Sequence, residues 1–396
     1  MKRIFVSLIS TLLLTAPDLL AVDKNITSFP APYPTLGSIE RLDPALDAVL
    51  APDATIEKLA EGFSWAEGPV WVPAKGALLF SDVPQNRVYR WKEGEGISVF
   101  LEPSGFTGTV YNGRERGANG LTLDHKNRLV LCQHGDRRVA RLAANGKDFE
   151  TIVDRIDGQR FSSPNDLCFD RAGNLFFTDP PYGLPSDVKQ ETPFNGVYRL
   201  GTDGKLTVIS KTMDRPNGIA LSPDERTLYV GSTHGPKPII MAFALKPDGS
   251  VASERVFFDA NELIARTKRQ GGFDGLKVDT AGNLWTTGPG GVLIISPAGK
   301  HLGTILTGRA TANCTFGGAD GHTLFLTADK TLLRITTKAT GAGRCARRQL
   351  CEDGDLSCLS PVNWFHPVSC VASINSLPTS VTVPAVRPGD GFRPGM

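Results

Sequence analysis

Residues 273–285 read FDGLKVDTAGNLW, and nearly the same phrase occurs earlier in the chain, as PNDLCFDRAGNLFFTD from Pro164 and PNGIALSPDERTLYVG from Pro216. Each copy begins with a small polar residue and a Gly or Asp, and continues through alternating apolar and polar residues, a turn and a second apolar run. Aligning the phrase along the chain gives six copies, which begin at Glu67, Asn119, Asn165, Asn217, Asp274 and Phe316. They recur about every 50 residues, an interval typical of repeat architectures.

Each copy predicts a β-hairpin, because alternation of period two interrupted by Gly, Asn or Asp is typical of two strands and a turn. Further strand-like segments follow most copies, such as NGVYRL from Asn195 and GVLIISP from Gly291. Three or four strands per repeat, without a long apolar stripe of helical period, are typical of a propeller blade. The sequence therefore predicts an all-β fold, a six-bladed β-propeller. The segment DATIEKLAEGF from Asp53 is expected to close the ring as an N-terminal strand beside TLLRITT, which starts at Thr331.

The first residue of each phrase is predicted to face the central channel, because the innermost strands of all blades border the axis of a propeller. The residues expected to converge there are Glu67, Asn119, Asn165, Asn217 and Asp274, with Phe316 in the sixth position. Two carboxylates with amide oxygens, and without Cys or His, form a ligand set that hard cations such as Ca²⁺ prefer. The alternative is that these side chains only hydrogen-bond water in the channel. A cation is favoured, since two carboxylates buried together without one would force a carboxyl to take up a proton.

The composition excludes several classes of protein. Gly and Pro account for 42 and 28 of the 396 residues, and charged residues make up only 21%. This is a turn-rich globular composition, without the acidic bias of disordered chains or the basic bias of nucleic-acid binders. The formal net charge of +2 accordingly favours a small-molecule partner and no nucleic acid.

The two ends of the chain are predicted to lie outside the propeller, which is expected over residues 54–343. Residues 1–21 carry Lys2 and Arg3, an apolar run and a small residue at Ala21. This is the pattern of a signal peptide, so we expect an exported protein, periplasmic or secreted, with no membrane segment in the mature form. A buried N-terminal helix is the alternative.

The seven cysteines divide into two groups. Cys132, Cys168 and Cys314 stand singly inside apolar strand patterns and are expected in the core, where a free Cys behaves as a small hydrophobe. The other four lie in residues 344–396, a Pro- and Ser-containing tail without a sustained period. Such a composition favours a poorly ordered tail over a disulfide-bonded appendage.

Four sequence segments resemble those of a known family: EGPVW, PNDLCFDRAGNLFFTD, RPNGIALSPDERTLYV and FDGLKVDTAGNLW. Together they resemble the family of senescence marker protein, gluconolactonase and luciferin-regenerating enzyme, with diisopropyl fluorophosphatase as a more distant relative. The resemblance spans residues 54–338, and CQHGDRRVAR from Cys132 is similar to bacterial gluconolactonases. It implies one catalytic divalent ion, often Ca²⁺, held by Glu67, Asn217 and Asp274. Asn165 matches an Asn that contacts the ion or the substrate.

One position departs from the family's pattern. Animal lactonases of the family carry an Arg two residues before the Asn of the third phrase, where it helps to hold sugar hydroxyls, and this chain has Ser163 there. Arg160, on the same loop, is the candidate to reach the substrate instead. The preference for a sugar lactone depends on this substitution.

The resemblance implies a metal-dependent lactonase that hydrolyses a sugar lactone such as glucono-1,5-lactone to the aldonic acid. A cation can bind the carbonyl oxygen of the lactone and stabilise the negative charge that develops when water attacks. Asp274 is the expected catalytic carboxylate, as general base or as nucleophile. Asn119 and Asn165 are expected to orient the substrate, and His134 resembles a family His near the pocket.

Two alternatives stand beside this prediction. The first is a non-catalytic binding propeller whose ion is structural, and the second is a phosphotriesterase or arylesterase that uses the same metal site. His301, which precedes a strand, is expected to be a structural histidine. The chain has no GxSxG or P-loop motif, which argues against serine hydrolysis and nucleotide chemistry.

Overall fold

The computed structural model describes residues 25–233 and 235–343. The predicted signal peptide and the tail with its four cysteines lie outside the described residues. Strands and turns make up nearly all of the described chain, with a single α-helix at Asn261–Thr267 and 3₁₀ turns at Pro44–Ala48 and Pro73–Lys75. No helix in this part of the chain has the length and apolar character needed to cross a membrane. The all-β prediction is confirmed.

Six antiparallel sheets form the blades, and in five of them four strands follow one another in sequence order. The strands of blade one are Ala66–Val72, Ala77–Asp82, Arg87–Lys92 and Gly96–Leu101. Those of blade two are Ala118–Leu123, Leu129–Gln133, Arg138–Leu142 and Phe149–Val153. Those of blade three are Leu167–Phe169, Leu175–Asp179, Gly196–Leu200 and Leu206–Ser210. A two-stranded hairpin, Arg155–Ile156 with Gln159–Arg160, lies between blades two and three in the chain.

The other three blades repeat this pattern. The strands of blade four are Pro216–Leu221, Thr227–Ser232, Ile239–Leu245 and Val251–Asp259. Those of blade five are Leu276–Val278, Leu284–Gly288, Gly291–Ile295 and His301–Leu306. Those of blade six that follow in the chain are Thr311–Gly317, Thr323–Ala328 and Thr331–Thr336. The fourth strand of blade six comes from upstream: Ile56–Glu61 pairs antiparallel with Thr331–Thr336 and sets Glu57 opposite Arg334.

The first strands of the six blades surround one axis. Each of them contacts the first strand of the next blade, and the first strand of blade six contacts that of blade one. The six-bladed propeller predicted from the repeated phrase is therefore confirmed. Because the strands alternate, their apolar residues pack between neighbouring blades and their polar residues remain available at the axis.

Residues upstream of Ala54 also take part in the sheets. Ser38–Arg41 is the fifth strand of blade five, paired with His301–Leu306. Two shorter strands, Thr27–Ser28 and Thr35–Leu36, both pair with Ile56–Glu61. Residues 27–41 thus contribute strands to two blades, which the repeat pattern did not predict.

The cysteines within the described residues behave as small core residues. Cys132 and Cys314 are buried, Cys168 is half-buried, and all three are free thiols. Each packs in or against one of the apolar clusters of the blades. Their predicted place in the core is confirmed.

Candidate active site

Backbone hydrogen bonds tie the first residue of one phrase to the blade before it. The amide of Gly120 donates to the carbonyl of Asn165 at 2.7 Å, and the amide of Gly218 donates to the carbonyl of Asp274 at 3.0 Å. Because the same bond recurs, the phrases share one register around the axis. The backbones of Asn165 and Asp274 therefore lie at the same level of their blades.

The sixth position is not Phe316. The amide of Gly275 donates to the carbonyl of Ala312 at 2.8 Å, and Thr287 Oγ1 donates to the same carbonyl at 3.0 Å. Ala312 thus takes the place that Asn165 and Asp274 take in their blades. Phe316 lies four residues further on, buried edge-to-face against Trp285 with 5.4 Å between ring centroids. The predicted axial position of Phe316 is wrong, because an aromatic ring is stabilised by burial between blades and has no partner in a polar channel.

The second residue of each phrase lies where the inner strands of neighbouring blades pack closely. It is glycine in four blades, at Gly68, Gly120, Gly218 and Gly275. An ideal Cβ on Gly68 would lie 1.9 Å from the carbonyl oxygen of Asn119. Only glycine lets the neighbouring backbones approach so closely. The other two positions hold Asp166 and Asn313, and Asn313 Nδ2 donates to Asp166 Oδ2 at 3.4 Å.

A directed chain of hydrogen bonds runs through the amides of the site. Asn165 Nδ2 donates to Asn217 Oδ1 at 2.5 Å, and Asn217 Nδ2 donates to Thr233 Oγ1 at 2.8 Å. Thr233 Oγ1 in turn donates to the carbonyl of Phe273 at 2.9 Å. Because Asn165 gives its amide hydrogen to Asn217, its Oδ1 faces His134 Nε2 at 3.1 Å, and that nitrogen carries a hydrogen. This chain fixes which atom each amide presents.

The two axial carboxyl groups are held in a poorly solvated place. Burial raises the pKa of Glu67 to about 8, and the charges of Asp166 and Glu115 act in the same direction. Burial also raises the pKa of Asp274 well above its ordinary value, and Glu67 is the next largest cause. Without a positive charge beside them, the two groups cannot both be ionised at neutral pH.

Two oxygen atoms of the site are left without partners. Asn119 Oδ1 and Asp274 Oδ1 are buried and accept no hydrogen bond from the described residues. Buried acceptors of this kind cost free energy unless a donor or a cation satisfies them. A divalent cation fits the residues present, because it would satisfy the free oxygens and allow both carboxyl groups to ionise. No three His, Cys, Asp or Glu side chains in the described ranges converge as ligands, so a cation here needs amide oxygens as well.

His134 lies behind the amides rather than at the surface of the site. It is fully buried, and its Nδ1 lies 3.4 Å from Oε2 of Glu115 on the loop between blades one and two. The imidazole thus reaches the site through Asn165. The predicted role of His134 in substrate binding stays a prediction, and its contacts favour positioning of Asn165.

Arg160 has contacts of another kind. Its amide nitrogen donates to Glu191 Oε2 at 2.8 Å, and its Nη2 donates to the carbonyl of Asp136 at 2.7 Å. No hydrogen bond in the described part of the chain joins Arg160 to an axial residue. The expected contact of Arg160 with the substrate therefore stays a prediction.

Ser163, where the family's animal lactonases have Arg, is a structural residue in this chain. It is buried, its Oγ donates to the carbonyl of Pro180 at 2.6 Å, and the amide of Gly183 donates to that Oγ at 2.9 Å. These bonds hold the turn 180–183 against the site.

His301 is structural as well, since its Nε2 lies 3.0 Å from the carbonyl of Gly303 and burial lowers its pKa.

Three polar residues of the site were missed by sequence reasoning. Asp166 is buried beside the axis, and burial raises its pKa. Glu115 and Tyr182 lie on loops, and both act electrostatically on Asp274 or feel its charge. The sequence could have indicated Asp166, because it replaces the Gly that follows the first residue in four other phrases. No sequence pattern indicates the two loop residues.

The fold and the site together define a six-bladed propeller with a cluster of polar, oxygen-bearing side chains at its axis. The profile of the SMP-30/Gluconolactonase/LRE-like region matches residues 65–330, and the chain belongs to this family. The resemblance drawn from the repeated phrases is confirmed.

Three relatives are close enough to be informative. The gluconolactonase of Zymomonas mobilis is 39% identical over 315 residues, which cover 78% of this chain and 88% of the relative. The pentonolactonase of Haloferax volcanii is 28% identical over 266 residues, covering 66% and 80%. The solved gluconolactonase of Xanthomonas campestris is 34% identical and superposes with a TM-score of 0.67, covering 77% of this chain and 97% of that one. By their names, all three relatives act on lactones.

Proposed function

We propose that this protein hydrolyses a sugar lactone such as glucono-1,5-lactone to the aldonic acid, with a divalent cation, most simply Ca²⁺, at the axis. Its membership of the family and its similarity to a gluconolactonase and a pentonolactonase support the class of reaction. The single observation that carries the site assignment is the pair Glu67 and Asp274. Burial raises the pKa of both carboxyl groups, and the charge of Glu67 raises that of Asp274 further, at an axis that also presents a free amide oxygen.

The residues proposed to hold the cation are Glu67, Asn165, Asn217 and Asp274. When bound, the cation would supply a positive charge that polarises the lactone carbonyl and favours the ionised carboxylates. The amide chain from His134 to Thr233 would keep the oxygen atoms of Asn165 and Asn217 directed, so that little reorganisation is needed on binding.

Asp274 is the proposed base. It is a partly exposed residue with a buried, unpartnered Oδ1, so it can reach a water molecule that enters the site. In the reaction the water oxygen forms a bond to the carbonyl carbon while Asp274 takes one of its protons. The bond from that carbon to the ring oxygen then breaks, and the ring oxygen receives the proton that Asp274 took up, which gives the open-chain hydroxy acid and restores the carboxylate. Asn119, with its free Oδ1, is proposed to accept a hydrogen bond from a hydroxyl of the substrate.

The test is hydrolysis of glucono-1,5-lactone followed as acid release in a pH-stat, with corrections for spontaneous opening. We expect activity with Ca²⁺, loss of activity in chelator and recovery when Ca²⁺ is restored. Full activity in chelator would contradict the metal assignment, and no activity with any lactone would favour a binding propeller. Phenyl acetate and a phosphotriester, assayed in parallel, separate the lactonase from an esterase that uses the same site.

A further inference from the structure

Tyr182 places a polar group beside the site that neither the repeated phrase nor the proposed mechanism uses. Its hydroxyl is buried and has no hydrogen-bond partner among the described residues. The side chains of Asn217 and Thr233 lie next to it, and the charge of Asp274 acts on it. A buried, unpartnered hydroxyl costs folding free energy, and beside a ligand site a bound ligand can supply the missing partner.

The turn that carries Tyr182 is firmly held. Ser163 Oγ bridges the carbonyl of Pro180 and the amide of Gly183, at 2.6 and 2.9 Å. The hydroxyl of Tyr111 donates to the carbonyl of Gly183 at 2.5 Å. An ideal Cβ on Gly183 would lie 2.4 Å from Cβ of His134, so the turn packs directly on that histidine. Residues on both sides of Tyr182 are therefore fixed, and its side chain is preorganised.

The ring of Tyr182 is also held, since the guanidinium carbon of Arg215 lies 5.5 Å from its centroid. Burial raises the pKa of Tyr182 to about 12, the charge of Asp274 acts in the same direction, and Arg215 opposes it. A phenol has an ordinary pKa of about 10, so it keeps its hydrogen at neutral pH. It can donate a hydrogen bond there without being consumed as an acid.

We propose that Tyr182 donates a hydrogen bond to the ester group of the bound lactone. This inference rests on the proposed function. The hydroxyl lies next to Asn217, a proposed ligand of the cation, and the charge of Asp274, the proposed base, acts on it, so it borders the residues proposed to act on the ester. A donor at that position stabilises the negative charge that develops on the ester oxygens during attack by water. It acts on every lactone, whatever hydroxyls the ring carries.

Tyr198 provides a matched control. Its hydroxyl is also buried and without a partner in the described chain. It lies in an aromatic cluster of blade three, however, with its ring 5.1 Å from the ring centroids of Phe161 and Phe177. Removing this hydroxyl deletes an unsatisfied polar group without touching the proposed site.

The experiment compares Tyr182→Phe and Tyr198→Phe on glucono-1,5-lactone and on δ-valerolactone, a six-membered lactone without hydroxyl groups. We expect Tyr182→Phe to lower kcat/KM about ten- to a hundredfold for both lactones, the range for a hydrogen bond to a charged group. Its melting temperature should equal or exceed that of the wild type. Tyr198→Phe should leave the kinetics of both lactones unchanged.

Two outcomes would overturn the inference alone: unchanged kinetics of Tyr182→Phe in an active enzyme, or a rise of KM confined to the hydroxylated lactone, which would assign Tyr182 to a sugar hydroxyl. A wild-type protein that hydrolyses neither lactone would overturn the proposed function and this inference together.

Discussion

The side-chain amide of Asn165 donates to Oδ1 of Asn217 across 2.5 Å, which links the inner edges of blades three and four. With His134 behind Asn165 and Thr233 behind Asn217, this bond leaves neither amide free to turn over. The oxygen atoms proposed as ligands are therefore directed before any cation binds. A bound cation would add positive charge to the site, and that charge would favour the ionised forms of Glu67 and Asp274.

The substitution Asp274→Asn should separate the ligand role of Asp274 from its role as base. It keeps the size of the side chain and one oxygen atom, and it removes the negative charge and the basicity. We expect a folded protein that binds Ca²⁺ more weakly and remains about 10²–10⁴-fold slower in kcat when Ca²⁺ is saturating. Calorimetric titration with Ca²⁺ and turnover at saturating Ca²⁺ measure the two effects separately. Near-normal turnover at saturating Ca²⁺ would show that Asp274 is a ligand only.

Asn217→Asp is the complementary substitution, because it adds a charge to the site without changing the proposed base. The new carboxylate can still accept the hydrogen bond from Asn165. We expect tighter binding of Ca²⁺ and a lower melting temperature in chelator, since a further buried carboxyl group then lacks a cation. Weaker binding of Ca²⁺ would place the cation elsewhere.

The stability of the metal-free protein should fall as the pH rises. Burial raises the pKa of Glu67 from its ordinary 4.5 to about 8. Between these values the folded protein holds a proton that the unfolded chain has released, so each increase in pH favours unfolding. The contribution of Glu67 is confined to that window, and Asp274, whose pKa burial also raises, acts in the same direction.

The measurement is the melting temperature in chelator and in excess Ca²⁺ at several values between about pH 5 and pH 8. We expect a steady decline in chelator and a much smaller one with Ca²⁺, because bound cation keeps the carboxylates ionised throughout. Binding should also release protons at pH 7, which two buffers of different ionisation enthalpy detect in a titration. Parallel curves with and without Ca²⁺ would contradict the coupling of cation and carboxylates.

Gly120→Ala should destabilise the propeller at its axis. An ideal Cβ there would lie 2.6 Å from the carbonyl oxygen of Asn165 and 2.8 Å from Asp166 Cα, so backbone must move. Overpacking of this kind costs about 1–3 kcal/mol, measured as a shift of the denaturant midpoint. Gly235→Ala is the control, because a Cβ at that position meets nothing within 4 Å. An equal effect of both substitutions would contradict the close packing of the inner strands.

Removing residues 344–396 should leave a folded and active enzyme. The last strand ends at Thr336, and the amide of Ala342 still donates to the carbonyl of Val278 at 2.8 Å. A shorter protein that ends at Thr336 loses this bond and the bridge between Asp279 and Gly341, and should melt at a lower temperature. Loss of soluble protein on removal of residues 344–396 alone would show that the tail takes part in folding.

The repeated phrase predicted the six blades, because alternation and turn residues are local properties that every blade repeats. It predicted the axial level of Asn165 and Asp274 for the same reason. It failed in blade six, where Phe316–Gly317 imitates the start of the phrase while Ala312 occupies the position. An alanine followed by an asparagine carries neither the polar residue nor the glycine that marks the other blades.

The loop residues of the site could not be predicted in this way. The turn of Tyr182 is placed by Ser163 and Tyr111, and Glu115 is placed beside His134 by the loop that leads into blade two. These contacts depend on how the loops fold against the blades, so the repeated phrase does not encode them. Asp166 could have been found, since a carboxylate in a position otherwise reserved for glycine marks a place where the packing leaves room for a polar group.

The glycines around the axis limit how members of this fold can diverge. The backbone at Gly68 lies very close to the carbonyl of Asn119. The inner strands therefore leave no room for larger side chains that would change the shape of the site. New substrate shapes are better accommodated through the connections 103–117 and 180–195, which carry Glu115 and Tyr182 and lie outside the inner strands. Libraries for altered substrate range should therefore randomise these loops and leave the repeated phrase untouched.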